Sequence, residues 1–217
     1  GANASKKGGI GGTNKQMPFD KFVLRKTKQI EARQKAHPEL LYIECVGTSP
    51  ILELIYFWNG YSRMQPPKLE QLIKMLDFSA GPHAKFTETS DEAMIRHLYQ
   101  SLALRETGKV KEGLSLLETE VISKYVTQDA PNMPFKFQKM TYSPYLYPTA
   151  LHEKASFVWK LQYQKDPERA VKESSAWLKK AEAVLDVGDY ELSNRTSMAI
   201  KAASERLEQM QEILDRK

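Results

Sequence analysis

An all-α fold, built as a stack of helical hairpins and closed by a final helix, is what this sequence predicts. Three observations predict it. Apolar residues recur at the helical period in almost every segment. No segment shows the two-residue alternation between tight turns that marks a β-hairpin. The order helix, short turn, helix recurs three times along the chain. With 217 residues, 41% hydrophobic and 27% charged, the chain suits one medium domain or a short repeat array.

The opening "GANASKKGGIGGTNK" is rich in Gly, Ser and Lys and has no apolar core, so residues 1–16 are expected to be a flexible tail or linker, not a secretory signal. Residues 17–217 are expected to form the helical domain. The first helix runs from Pro18 to Ala36, with a partial apolar face of Phe19, Phe22, Val23 and Ile30 and Pro38 beyond its end. The second is expected over 50–63 in "SPILELIYFWNGYSRM", where Ser49 can cap and Pro50 suits the first turn. It is apolar nearly all round, which predicts burial from several sides, with Trp58 in the core. The third spans about Pro67 to Phe78 before "SAGPH" breaks the chain.

The fourth helix starts at Ser90 with Asp91 and Glu92 in its first turn, where acids favour the helix dipole. Its apolar face is Met94, Ile95, Leu98, Tyr99 and Leu102. "ETGK" turns it into a fifth helix, Val110 to Tyr125. Residues 126–143 read as a long irregular connection. The sixth helix, Tyr145 to Gln164, opens on a stiff aromatic entry with Pro148 in or near its first turn. Ala150, Leu151, Ala155, Val158 and Trp159 form its packing face, and His152 and Glu153 are expected off it. Asp166 caps the seventh, with Pro167 at its first position. The last, Tyr190 to about Asp215, carries a stripe of Leu192, Ala199, Ala203, Leu207, Met210 and Leu214.

The pairs 50–63/67–78, 91–106/110–125 and 145–164/167–184 are therefore three candidate hairpins. Units that cannot bury their apolar faces alone stack into a superhelix. The middle pair, "LALRETGKVKEGLSLLE", is tetratricopeptide-like: Gly108 turns, Gly113 permits a close helix contact and Leu117 fills the space between. The third pair departs, because Ala155 and Ala170 lie 15 residues apart where such a unit spaces its small residues by about 12.

No catalytic constellation, cofactor site or metal site is expected. The histidines 37, 83, 97 and 152 form no ligand pair at helical spacing, and His152-Glu153 is not HExxH because position 156 is Ser. "GGIGG" lacks the strand and the Lys-Ser/Thr of a phosphate loop, and there is no GxSxG. The single Cys45 excludes an internal disulfide and reads as a small buried thiol. Tyr56-Phe57-Trp58 sit in the most apolar helix and read as core rather than a base-stacking platform, so no specific nucleic acid partner is expected. No run of about 18 uncharged apolar residues offers a membrane span.

What remains is binding. The inner helices of such a stack line a groove, and Asn59, Arg63, Arg96, Gln100 and Lys154 are its candidate protein-binding residues. Charge offers a second surface. Net charge is +5, yet residues 1–35 hold nine Lys/Arg against two acids. Within that segment Lys21, Arg25, Lys28 and Arg33 are candidate contacts for an acidic surface, whether an acidic protein or anionic lipid.

Four stretches carry a resemblance: "FVLRKTKQIEARQKAHP", "SPILELIYFWNGYSRM", "YLYPTALHEKASFVWKL" and "YELSNRTSMAIKAASERL". The YxYPxAL entry and the YELxxR start are the most specific. Across about residues 19–210 the chain resembles the C-terminal portion of the fungal inclusion body clearance proteins and the animal tetratricopeptide repeat protein 39 family. The resemblance implies a non-catalytic adaptor that is part of a longer protein, with no catalytic residues to carry over. It further implies a role in clearing protein inclusions with help from lipid droplets, and cytosolic, nuclear or mitochondrial outer-membrane locations. For the animal members it implies lipid metabolism.

Overall fold

The computed structural model describes residues 18–137, 145–185 and 193–217. The expected tail at 1–16, the second part of the connection at 138–143, and Tyr190 and Leu192 lie outside those residues. The eight expected helices are present among the described residues: α1 Pro18–Ala36, α2 Ile51–Phe57, α3 Pro66–Leu76, α4 Ser90–Glu106, α5 Val110–Leu117, α6 Leu146–Gln162, α7 Pro167–Leu185 and α8 Ser193–Asp215. The chain folds as an all-α, tetratricopeptide-like stack.

The middle hairpin forms for the reasons its sequence suggests. Thr89 caps α4 by accepting the Glu92 N–H at 3.1 Å, and the Glu92 carboxylate accepts the Thr89 N–H in return. Gly108, at φ +88°, closes the helix. The Lys109 N–H reaches back to the Leu104 carbonyl at 2.8 Å and the Gly108 N–H to Arg105 at 3.2 Å, which satisfies two orphan carbonyls. At Gly113 a Cβ would lie 2.6 Å from the Ser101 carbonyl oxygen and 3.0 Å from the Phe157 ring, so α5 lies against α4 only because that atom is missing. Leu117 is fully buried behind it. Beyond Leu117 the helix widens into a π-turn, Glu118–Ile122, and ends at Ser123–Tyr125. Thr119 and Ser123 donate to carbonyls four residues back, a habit that loosens helices.

α6 and α7 form the tightest pair, and α8 lies mainly along α7. Pro148 falls in the first turn of α6, where its missing N–H has no intrahelical partner to lose. Asp166 caps α7 by accepting the Arg169 N–H at 3.1 Å. On α8 the stripe residues Ala203 and Leu207 pack against the core, and Ile200, outside the expected stripe, is fully buried beside them.

Four expectations need correction. The second helix does not reach 63; it stops at Phe57. Asn59 adopts φ +57°, the Gly60 N–H bonds the Ile55 carbonyl at 2.7 Å, and the Asn59 N–H bonds Tyr56 at 2.9 Å. This is the same closing device that Gly108 provides, built on Asn. Trp58 caps that end and is 60% exposed rather than core. Because α2 is short, α2 and α3 each pack on α4 more than on one another, so the first pair is an opened hairpin. Finally, residues 126–143 are not wholly irregular: Val126–Thr127 and Lys136–Phe137 pair as a small antiparallel ribbon, and Phe137 lies 4.7 Å from the Tyr147 ring at the entry to α6.

Candidate functional site

Two of the buried acids, Glu53 and Glu153, hold paired carboxylates in the core, and neither lies where the sequence suggests chemistry. Glu53 of α2 is fully buried; Lys26 of α1 approaches it at 2.7 Å and Tyr145 donates its hydroxyl to it. The Tyr99 and Tyr145 hydroxyls are 3.4 Å apart. Glu153 of α6 was expected off the packing face; it is buried instead, and Arg105 of α4 donates to it at 2.9 Å. Burial pushes the Glu153 carboxyl up, but Arg105, His152 and a hydrogen bond from Tyr56 together outweigh it and hold it below its ordinary value. The same burial drives the Tyr56, Tyr99 and Tyr145 phenols well above theirs. Tyr56 and Tyr99 lie 5.4 Å apart, so a seam of phenols links the two clusters. Shifted groups of this kind can mark an active site. Here the anions, cations and phenols are consumed by one another, and neither carboxylate lines the clefts described below. The clusters bind helix to helix.

The five groove candidates do not converge on one surface. Asn59 and Arg63 stand exposed at the turn after α2. Arg96 is held by Glu88 through two bonds, at 2.6 and 3.2 Å. Gln100, one turn on, donates to Asp77 at 3.4 Å. Desolvation raises the Asp77 carboxyl, while Arg96 and Gln100 both act to lower it. Lys154 is buried on the other side of the stack, paired with Glu118 and 4.8 Å above the Trp177 ring. Burial, then the charge of Lys180, lowers its ammonium below the usual range.

On α1 the basic candidates also divide. Lys21 and Lys28 are exposed, as is Lys35. Arg25 is half-buried, 5.9 Å from the Phe22 ring. Arg33 is turned inward: it donates to Glu92 and to the Cys45 carbonyl at 3.0 Å and rests 3.8 Å over Phe86. Cys45 itself is fully buried.

Of the groove candidates, Gln100 borders an opening. A groove of about 380 Å³ runs between α3, α4 and α5. Ile73, Ala103, Leu104 and Leu116 form its floor, and Lys74 and Lys109 stand at its rim. Leu104 is the sequence signal for it, since it lies outside the set that faces the core: an apolar residue left over from a helix face usually has another surface to cover. Among the described residues no group of His, Cys, Asp and Glu could hold a metal ion, and no helix is long and apolar enough to cross a membrane.

The family Iml2/Tetratricopeptide repeat protein 39 matches the chain over residues 3–107. Among curated proteins, the inclusion body clearance protein IML2 of Debaryomyces hansenii is 59% identical over 96% of this chain. That of Lodderomyces elongisporus is 57% identical over 97%. An IML2-like protein of Saccharomyces cerevisiae is 38% identical over 90%. The chain spans about a quarter of the length of these relatives: 25%, 25% and 26% in turn. No solved structure matches the chain.

Proposed function

From the premise that this chain resembles a segment of the Iml2/Tetratricopeptide repeat protein 39 family, we propose that it is a non-catalytic adaptor that acts by protein contacts in the clearance of protein inclusions. The observation that carries this reading is the groove between α3, α4 and α5. It has an apolar floor, and two lysines, Lys74 and Lys109, stand at its rim with one acid, Glu70. That combination suits a short peptide with apolar anchors and flanking acids: the floor supplies affinity and the rim charges steer the encounter. Both lysines are exposed, so reversing them leaves the fold alone. In yeast carrying a fluorescent aggregating reporter, the full-length protein with Lys74→Glu and Lys109→Glu should clear inclusions as slowly as a protein lacking the segment. Normal clearance by that variant, at normal abundance, overturns the groove as the working surface.

A second reading is a module that lies on an anionic lipid surface, such as a droplet or membrane. Lys21, Leu24, Lys28 and Lys35 share the exposed side of α1, at spacings that keep one helical face. Flotation with anionic vesicles separates the two readings. Vesicle binding abolished by Lys21→Glu, Lys28→Glu and Lys35→Glu together, with clearance lost in parallel, favours the lipid surface. Clearance that survives those reversals excludes it.

A further inference from the structure

A second cleft lies at the other end of the stack, apart from the groove and independent of the reading built on it. Its volume is about 280 Å³, between α6, α7 and α8. It exists because α8 leans on α7 and touches α6 only lightly. Small residues deepen it: Ala155 and Ser156 on α6 and Ala203 on α8 leave space that longer side chains would fill.

The cleft has two chemically distinct ends. The Ser174 hydroxyl donates to the Ala155 carbonyl at 3.2 Å, as expected for α6 and α7 running antiparallel across their short turn. Ser204, midway along α8, donates to Glu182, near the end of α7, at 3.2 Å, and Asp215 at the end of α8 lines the same face as Glu168 at the start of α7, so α7 and α8 are antiparallel too. Hence α6 and α8 run the same way. His152 on α6 and Arg206 on α8 then share one end, and Trp159 and Met210, seven and four residues further on, share the other. At about 1.5 Å per residue the α6 wall from His152 to Trp159 is roughly 10 Å long.

The charged end lacks a counter-ion among the described residues. Arg206 has no hydrogen bond or ion pair with any described residue. The acid beside His152, Glu153 at 3.7 Å, already serves Arg105. Burial first, and then the charges of Arg105 and Arg206, depress the His152 imidazole against the opposing pull of Glu153. No acid is among the residues that line the cleft, and apart from Ser156 and Ser174 the rest of the lining is apolar.

We propose that this cleft binds a small monocarboxylate with an apolar aryl or alkyl body: the carboxylate sits against Arg206 and His152, and the body lies between Trp159, Leu178 and Met210. A space of about 280 Å³ holds roughly nine groups of water size at about 30 Å³ each, the scale of a phenyl or short alkyl acid. The arrangement follows the usual make-up of a ligand site, an apolar lining with few polar groups that fix orientation.

The test is calorimetric titration of the whole chain with 3-phenylpropionate, and with 3-phenylpropan-1-ol as its uncharged counterpart. The acid should bind at least about tenfold more tightly than the alcohol. Arg206 is exposed, so Arg206→Glu preserves the fold, and it should remove that preference. Ala203→Met, which fills the space, should weaken both compounds. Equal binding of acid and alcohol, an Arg206→Glu variant that keeps the preference, or no binding of the acid overturns the proposal. Circular dichroism of each variant distinguishes a filled cleft from an unfolded chain.

Discussion

Glu153 and Glu53 each bury a carboxylate where three helices meet, and each is held by one cation and one phenol. Their cations differ. Glu153 receives Arg105, whose guanidinium also reaches Glu106 at 3.1 Å and rests 4.8 Å over Phe157. Both partners belong to α4 and α6, inside the regular part of the stack. Glu53 receives Lys26, a single ammonium on α1. That helix docks chiefly through buried Phe22, Lys26 and inward-turned Arg33. A forked, stacked cation within the stack cannot leave without unfolding it, whereas a point charge on an outer helix can leave with that helix. Similar chemistry therefore makes a permanent joint in one place and a detachable one in the other.

Removing each cation tests that difference. Arg105→Met leaves a buried carboxylate unpaired and should cost about 3–5 kcal/mol, seen as a lower urea midpoint. Replacing both partners, Arg105→Met with Glu153→Leu, should recover most of the loss, because two apolar side chains need no desolvation. Lys26→Met should cost less, about 1–3 kcal/mol, and locally. Hydrogen exchange should show residues 18–36 losing protection while 90–106 and 146–162 keep theirs. Equal midpoint shifts with a common loss of protection would merge the two joints into one cooperative unit.

Neither joint was legible in the sequence, although the frame around them was. Gly108, Gly113 and Leu117 announce the middle hairpin because each solves a backbone or packing problem that few other residues can solve. Asn59-Gly60 closes α2 with the same pair of bonds, yet it hides inside an unbroken apolar run, where periodicity argues for continuing the helix. Glu153 was misplaced for a related reason. A carboxylate on a helix reads as solvated unless its partner is known, and Arg105 lies 48 residues away. Burial of polar groups is decided by long-range pairs, which local patterns do not carry. The candidate groove suffered most: of its five expected residues, Arg96 and Lys154 are held in ion pairs, and Gln100 borders the opening.

The Glu153 joint also has a pH signature, weaker than either deletion. Burial holds the His152 imidazole below its ordinary value of 6.5. As pH falls through that value, the unfolded chain takes up a proton that folded His152 resists, which favours unfolding. The stability His152 contributes is thus present above about pH 6.5 and lost below it. His97, half-buried and depressed in the same direction, adds to the slope. Unfolding midpoints at pH 7.5 and 5.5 should differ, and His152→Gln should shrink the difference without abolishing it. A difference unchanged by His152→Gln would place the proton uptake elsewhere.

The smallest effect expected is at Trp58. By composition this residue belongs to the most apolar stretch of the chain, and a buried Trp would cost about 3–5 kcal/mol on truncation. In the fold it follows the last turn of α2 and is 60% exposed, because Asn59 turns the chain at that point. Trp58→Ala should therefore change stability by no more than about 0.5 kcal/mol. Phe157→Ala, at a fully buried ring that packs against Gly113 and Arg105, should cost about 3–5 kcal/mol. The pair of thermal shifts separates helix closure from helix composition: a large loss at Trp58 would mean that α2 continues past Phe57 in solution and that its indole is packed.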